Sequence, residues 1–98
     1  MTQFQPGDQI AYIPDHAKKN INHSDVEYGF VTSIPDDPEA DYVYCRYWWR
    51  SKPGTLRTTA NSERTPVRLM IHHTSVDPAT LAAARQYVLE QYYPGVKS

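Results

Sequence analysis

Between Asp41 and Arg50 the chain reads DYVYCRYWWR, and this alternation constrains the fold more than any other feature. Side chains alternate across an extended strand. The segment therefore divides into Val43, Cys45, Tyr47 and Trp49 on one face and Tyr42, Tyr44, Arg46, Trp48 and Arg50 on the other. The first set is uncharged and contains residue types at home in an interior. The second holds two arginines, which need partners wherever they are buried. Such a strand predicts a core on the first side and an outward, amphipathic stripe on the second.

The rest of the chain is punctuated by turn residues at short intervals. Pro6-Gly7-Asp8 predicts a turn, and the strand after it places Ile10 and Tyr12 on one side, Ala11 and Ile13 on the other, before Pro14 closes it. Residues 15–26 are polar and without usable period, so they predict a loop. EYGFVTSI (27–34) predicts a second strand, with Tyr28, Phe30, Thr32 and Ile34 sharing one face and Gly29, Val31 and Ser33 the other. Gly29 marks a bulge or the close approach of another backbone. PDDPEA and SKPGT are turns on either side of the aromatic strand. LRTTANSE (56–63) and TPVRLMI (65–71) complete five short strands, which read as a small closed or half-closed β-barrel. In the tail the period changes. Asp77 as N-cap, Pro78 at the first position and Pro94-Gly95 as a stop predict a helix over about 78–93. Its stripe of Leu81, Ala84, Val88 and Tyr92, with Leu89 beside it, asks to be docked. The expected division is a barrel over 1–76 and a docked helix over 77–98.

A chain of 98 residues supports one domain with a modest core. No apolar run approaches the ~18–20 residues of a membrane span, and MTQFQPGDQ lacks the basic-then-apolar pattern of a secretory signal. Cys45, the single cysteine, cannot form an intramolecular disulfide, which fits a reducing, cytoplasmic setting. The net charge of −1 argues against non-specific nucleic-acid binding. Residues 1–45 nevertheless carry −6 and residues 46–98 carry +5, an asymmetry that can orient a partner.

Candidate chemistry concentrates on the outward stripe. Tyr42, Tyr44, Arg46, Trp48, Arg50 and Lys52 could anchor a protein partner, since Tyr, Trp and Arg dominate interface hot spots. They could also stack bases while the cations hold phosphates. Alternatively Leu81, Val88 and Tyr92 of the helix cover Tyr44 and Trp48. His16, His23 and Asp25 form a conceivable metal set, but no CxxC, HExxH or comparable spacing marks one. The reading adopted is that His16 and His23 shape the loop by hydrogen bonds and that His72-His73 lie in a surface connection. Cys45 faces inward, where a thiol is inert. The acidic run Asp36, Asp37, Glu39 and Asp41 reads as a solvated turn. Without a phosphate loop or nucleophile elbow, no enzyme, metal or cofactor is expected.

PGDQIAYIPDHA, NHSDVEYGFVTSI and YVYCRY together resemble a group of small proteins encoded by phages and prophages. Their pattern is a Gly-Asp turn, a short strand, Pro-x-His-Ala, a polar loop with His, Glu-x-Gly-x-Val and an aromatic-rich strand. The resemblance covers about residues 6–47, carried by Gly7, Asp8, Tyr12, Pro14, His16, Ala17, His23, Glu27, Gly29, Val31, Val43, Arg46 and Tyr47. The chain departs from it at Val26, where relatives often have cysteine, and from Trp48 onward. The resemblance implies an SH3-like barrel in a phage setting and no enzymatic activity. The expectation is thus a five-stranded SH3-like barrel with a C-terminal helix, acting as a non-enzymatic binding module in the host cytoplasm. It would engage a host or phage protein, as an inhibitor or adaptor. A nucleic-acid binder and a virion structural component are the alternatives.

Overall fold

The computed structural model describes residues 3–48, 59, 62–74 and 76–95. Five antiparallel strands form one sheet: β1 (Gln9–Tyr12), β2 (Glu27–Ser33), β3 (Tyr42–Tyr47), β4 (Glu63–Pro66) and β5 (Met70–His72). They lie in the order β4-β3-β2-β1-β5, followed in the chain by a helix, α1 (Pro78–Tyr92). One-turn 3-10 helices at Asp15–Ala17 and Val67–Leu69 interrupt the loops. Among the described residues no β4–β5 pairing closes the sheet.

The expected final strand over 65–71 is divided in the structure. Thr65 and Pro66 end β4, Val67–Leu69 turn as a 3-10 helix, and β5 begins at Met70. The Val67 N–H still follows the β3–β4 register, donating to the Asp41 carbonyl at 2.9 Å, and the chain leaves the ladder after it. The turn carries the chain from one sheet edge to the other, where β5 pairs with β1. Most of the strand expected over 56–63 lies outside the described residues, where only Thr59, Ser62 and Glu63 can be placed.

Alternation in β3 gives the core. Val43, Cys45 and Tyr47 are buried and pack with Phe4, Ile10, Val31 and Met70. Each such apolar side chain contributes about 1.5–3 kcal/mol when fully removed from water. Tyr47 and Thr65 join their hydroxyls across this interior. The opposite face is covered in two places. Ala11 and Ile13 pack with Ala17 and Val26 beneath the β1–β2 loop, while Phe30 packs with Ala84 and Val88 of α1.

Two features of β2 shape the sheet. A Cβ built on Gly29 would lie 2.1 Å from the Arg46 carbonyl oxygen, so β2 and β3 approach here in a way that any side chain forbids. This is the close approach that Gly29 marks in the sequence. The bulge is elsewhere: between Val31 and Ser33 the register shifts, leaving Thr32 as an extra residue. Parity reverses beyond it. Ile34 therefore joins the main core rather than the Phe30 face, a correction to simple alternation over the whole strand.

Helix α1 starts where its capping residue places it. Asp77 accepts from the Thr80 N–H at 3.2 Å and from the Thr80 hydroxyl at 2.6 Å, and Pro78 follows. The buried stripe is Thr80, Ala84 and Val88, one residue around from the expected Leu81 start. The Asp15 carboxylate meets the Arg68 guanidinium at 2.9 and 3.0 Å, joining the two 3-10 turns.

Replacing Gly29 with Ala should destabilise the fold by more than about 3 kcal/mol, because the conflict is with backbone. Chemical denaturation measures it, and a near-neutral result would mean that the two strands can separate at this point. Asp77 is held below its ordinary 3.8 by the Thr80 hydrogen bonds, and Asp15 likewise by Arg68. A depressed carboxyl supports folding fully above its unfolded value, and that support fades as pH falls through the lower folded value. Asp77→Asn keeps a good cap without the titration. Its melting temperature should change little near neutrality and fall less steeply than the parent's on the acid side.

Candidate functional site

The six side chains of the expected stripe separate into three environments. Arg50 and Lys52 lie outside the described residues. Trp48 is half-buried and packs with Phe30, Ala84 and Val88 under α1, its ring 5.1 Å from that of Phe30. Its indole nitrogen is buried without an acceptor among the described residues. At this position the helix covers the strand, with Val88 and the neighbouring Tyr87 and Tyr93 in the contact.

Tyr42, Tyr44 and Arg46 remain half-exposed beyond the helix. Their arrangement follows from register, since β3 pairs with β4 so that Tyr44 stands opposite Arg64. The Arg64 guanidinium lies 4.3 Å from the centre of the Tyr42 ring, and Tyr42 meets Tyr44 edge-on with centroids 5.6 Å apart. Farther along, the Arg46 guanidinium lies 5.1 Å from the Tyr87 ring centre, and its Nε donates to the Thr59 carbonyl at 2.9 Å. Tyr87 in turn meets Tyr92 at 6.3 Å. The result is a band of tyrosines and arginines across β3, β4 and the last turns of α1.

A polar chain fastens this band to the sheet. Oγ1 of Thr32 donates to the Tyr44 carbonyl at 3.0 Å and lies 2.7 Å from the Ser62 hydroxyl, which lies 2.7 Å from the Tyr92 hydroxyl. Tyr93 accepts the Ile34 N–H at 3.3 Å. Arg64, Tyr87 and Tyr92 belong to the band although the alternation of β3 alone does not point to them. The signal for Arg64 is cross-strand pairing, and that for Tyr87 and Tyr92 is their helical spacing near the C-terminus of α1. Nothing in the sequence marks Thr32 as the link.

Beside Tyr42 the surface becomes concave. A groove of about 580 Å³ runs under the β2–β3 turn, lined by Ile34, Pro35, Asp37, Tyr42, Val67 and Met70 among others. It is of the size that takes a side chain or short segment of a ligand.

The remaining reactive groups behave differently. Cys45 is fully buried, and burial pushes its thiol up to about 12, the opposite of what a nucleophile requires. His72 stacks on Phe4 at 4.6 Å, and its Nδ1 lies 3.9 Å from an Asp8 carboxylate oxygen. His73 is half-buried against Tyr28, with Nδ1 buried and unpaired among the described residues. The surface connection expected for this pair is therefore partly an interior one. His16, His23 and Asp25 come together in the β1–β2 loop, joined by two hydrogen bonds.

No family model, no curated protein and no solved structure matches this chain. No helix among the described residues is long and apolar enough to cross a membrane.

Trp48→Ala removes the ring that α1 rests on and should lower stability by about 2–4 kcal/mol, below the full cost of an interior tryptophan because the ring is half-buried. Trp48→Phe should recover most of this. Equal stability for all three proteins in urea would show that α1 does not depend on the indole.

Proposed function

We propose that this chain is a non-catalytic, phage-encoded binding module of SH3-like barrel form that engages a host or phage protein in the cytoplasm. Within that reading it acts as an inhibitor or adaptor of a host or defence factor. The observation that carries it is the tyrosine–arginine band: Tyr42, Tyr44, Arg46, Arg64, Tyr87 and Tyr92 form a continuous, partly exposed surface with a concave end. That composition is the one in which binding energy concentrates at protein interfaces. Ring and cation–π contacts hold the side chains in place beforehand, which lowers the ordering cost on association.

Strand order supports the barrel reading. A five-stranded antiparallel sheet that is open among the described residues, with close strand approach at Gly29 and a 3-10 turn between β4 and β5, is compatible with a half-closed SH3-like barrel. Protein is favoured over nucleic acid by what the arginines do. Arg64 lies against Tyr42, and Arg46 lies against Tyr87 while donating to a backbone carbonyl. Arg46 thereby commits its Nε donor to the backbone, and both guanidinium faces are taken up by tyrosine rings rather than left to stack on bases. The chain as a whole is slightly acidic.

The test is capture of partners from bacterial lysate with and without nuclease, followed by affinity measurement on the retained partner. One protein retained in both lanes is expected, with binding little affected by salt. Tyr44→Ala or Arg64→Ala should weaken it by ~30-fold or more, the scale of a hot-spot residue, without lowering the melting temperature. Retention that disappears with nuclease and weakens steeply with salt would replace the protein reading with a nucleic-acid one.

A further inference from the structure

The loop between β1 and β2 gathers a second group of side chains, remote in sequence from the tyrosine–arginine band. His16 stands in the 3-10 turn Asp15–Ala17, and His23 and Asp25 stand on the limb that returns to β2. One donor atom from each of the three lies within 4.8 Å of the others. Nε2 of His16 is 2.7 Å from Oδ2 of Asp25, and the His16 and His23 rings meet edge-on at 5.3 Å. The Asp25 N–H donates to Nδ1 of His23 at 3.0 Å, so that nitrogen carries its lone pair rather than a hydrogen.

We propose that this loop binds one divalent transition-metal ion, Zn²⁺ by preference, through His16, His23 and Asp25. Two imidazoles and a carboxylate suit Zn²⁺ and leave a coordination position for water. Mg²⁺ and Ca²⁺ prefer sets made of oxygen alone. The ion takes the place of the hydrogen shared by Nε2 of His16 and Oδ2 of Asp25. His16 then binds through Nε2 as an imidazole with its ring hydrogen on Nδ1, any second ring proton passing to solvent. His23 binds through Nδ1, and the Asp25 N–H it releases turns to water at the exposed loop surface. Tetrahedral Zn²⁺ places its donors roughly 3.3 Å apart, so the loop contracts modestly at its widest edge.

The loop is built to hold such a set. Successive backbone bonds run from Lys18 N–H to Asp15, Asn20 N–H to Ala17, His23 N–H to Asn20 and Val26 N–H to His23, all between 3.0 and 3.1 Å. Ala17 and Val26 are buried, which anchors both limbs to the sheet. Lys18 and Lys19 hold left-handed backbone (φ 52° and 64°) between the first histidine and the second. Their charges oppose a cation, but they are exposed and screened by solvent. Nothing in this site depends on the tyrosine–arginine band, so either reading can fail without the other.

Isothermal titration of the chelator-stripped chain with ZnCl₂ tests the proposal. One-to-one uptake is expected, together with a rise in melting temperature. In nuclear magnetic resonance the ring signals of His16 and His23 should move while those of His72 and His73 stay. His23→Ala and Asp25→Asn, both at the loop surface, should each weaken uptake by more than ~100-fold, beyond the loss typical of an outer-shell partner. His72→Ala should leave uptake unchanged. The absence of saturable uptake would overturn the proposal and leave the histidines as loop-shaping groups. So would uptake that survives both loop variants or moves the His72 and His73 signals instead.

Discussion

The contact between the β2 backbone at Gly29 and the Arg46 carbonyl of β3 governs the arrangement of everything around it. With no side chain between them the two strands approach closely, and Gly29 stays paired with Tyr47. On one face Val31, Val43, Cys45 and Tyr47 come together with Ile10 and Met70. On the other face Phe30 and Trp48 meet Ala84 and Val88 of α1.

The fold was largely readable where one residue type leaves one option. Alternation in β3 assigns Val43, Cys45 and Tyr47 to the interior, Asp77-Pro78 starts the helix, and Gly29 signals close approach. It was less readable where tertiary packing overrides a local pattern. The extra residue at Thr32 fits an ordinary β sequence, and its bulge is stabilised by Ser62 and the Tyr44 carbonyl, which are distant along the chain. TPVRLMI alternates well enough for a strand, yet the β3–β4 ladder runs out at the Val67–Asp41 bond and the chain turns through Val67–Leu69 to reach β1.

The same distinction applies to the candidate site. Alternation gives the face of Tyr42, Tyr44, Arg46 and Trp48, but it cannot say which of them a helix will cover. Trp48 is partly enclosed because Ala84 and Val88 offer a small, smooth surface beside it, and that fit is a property of two elements at once. Arg64 joins Tyr42 through cross-strand register, a pairing of segments remote in sequence. His16, His23 and Asp25 were visible as residues, but their convergence depends on the left-handed turn at Lys18 and Lys19.

Among the described residues the sheet ends in two edges, β4 and β5, and an unpaired edge is a template for unwanted pairing between molecules. Here β5 is three residues long, while the four residues of β4 include Glu63, Arg64 and Pro66. Another strand docking on β4 would meet two charges and a position with no N–H to offer. One docking on β5 would gain few hydrogen bonds before the chain turns away. The edges seen here thus make poor seeds for aggregation, while the groove beside Tyr42 stays accessible to a ligand.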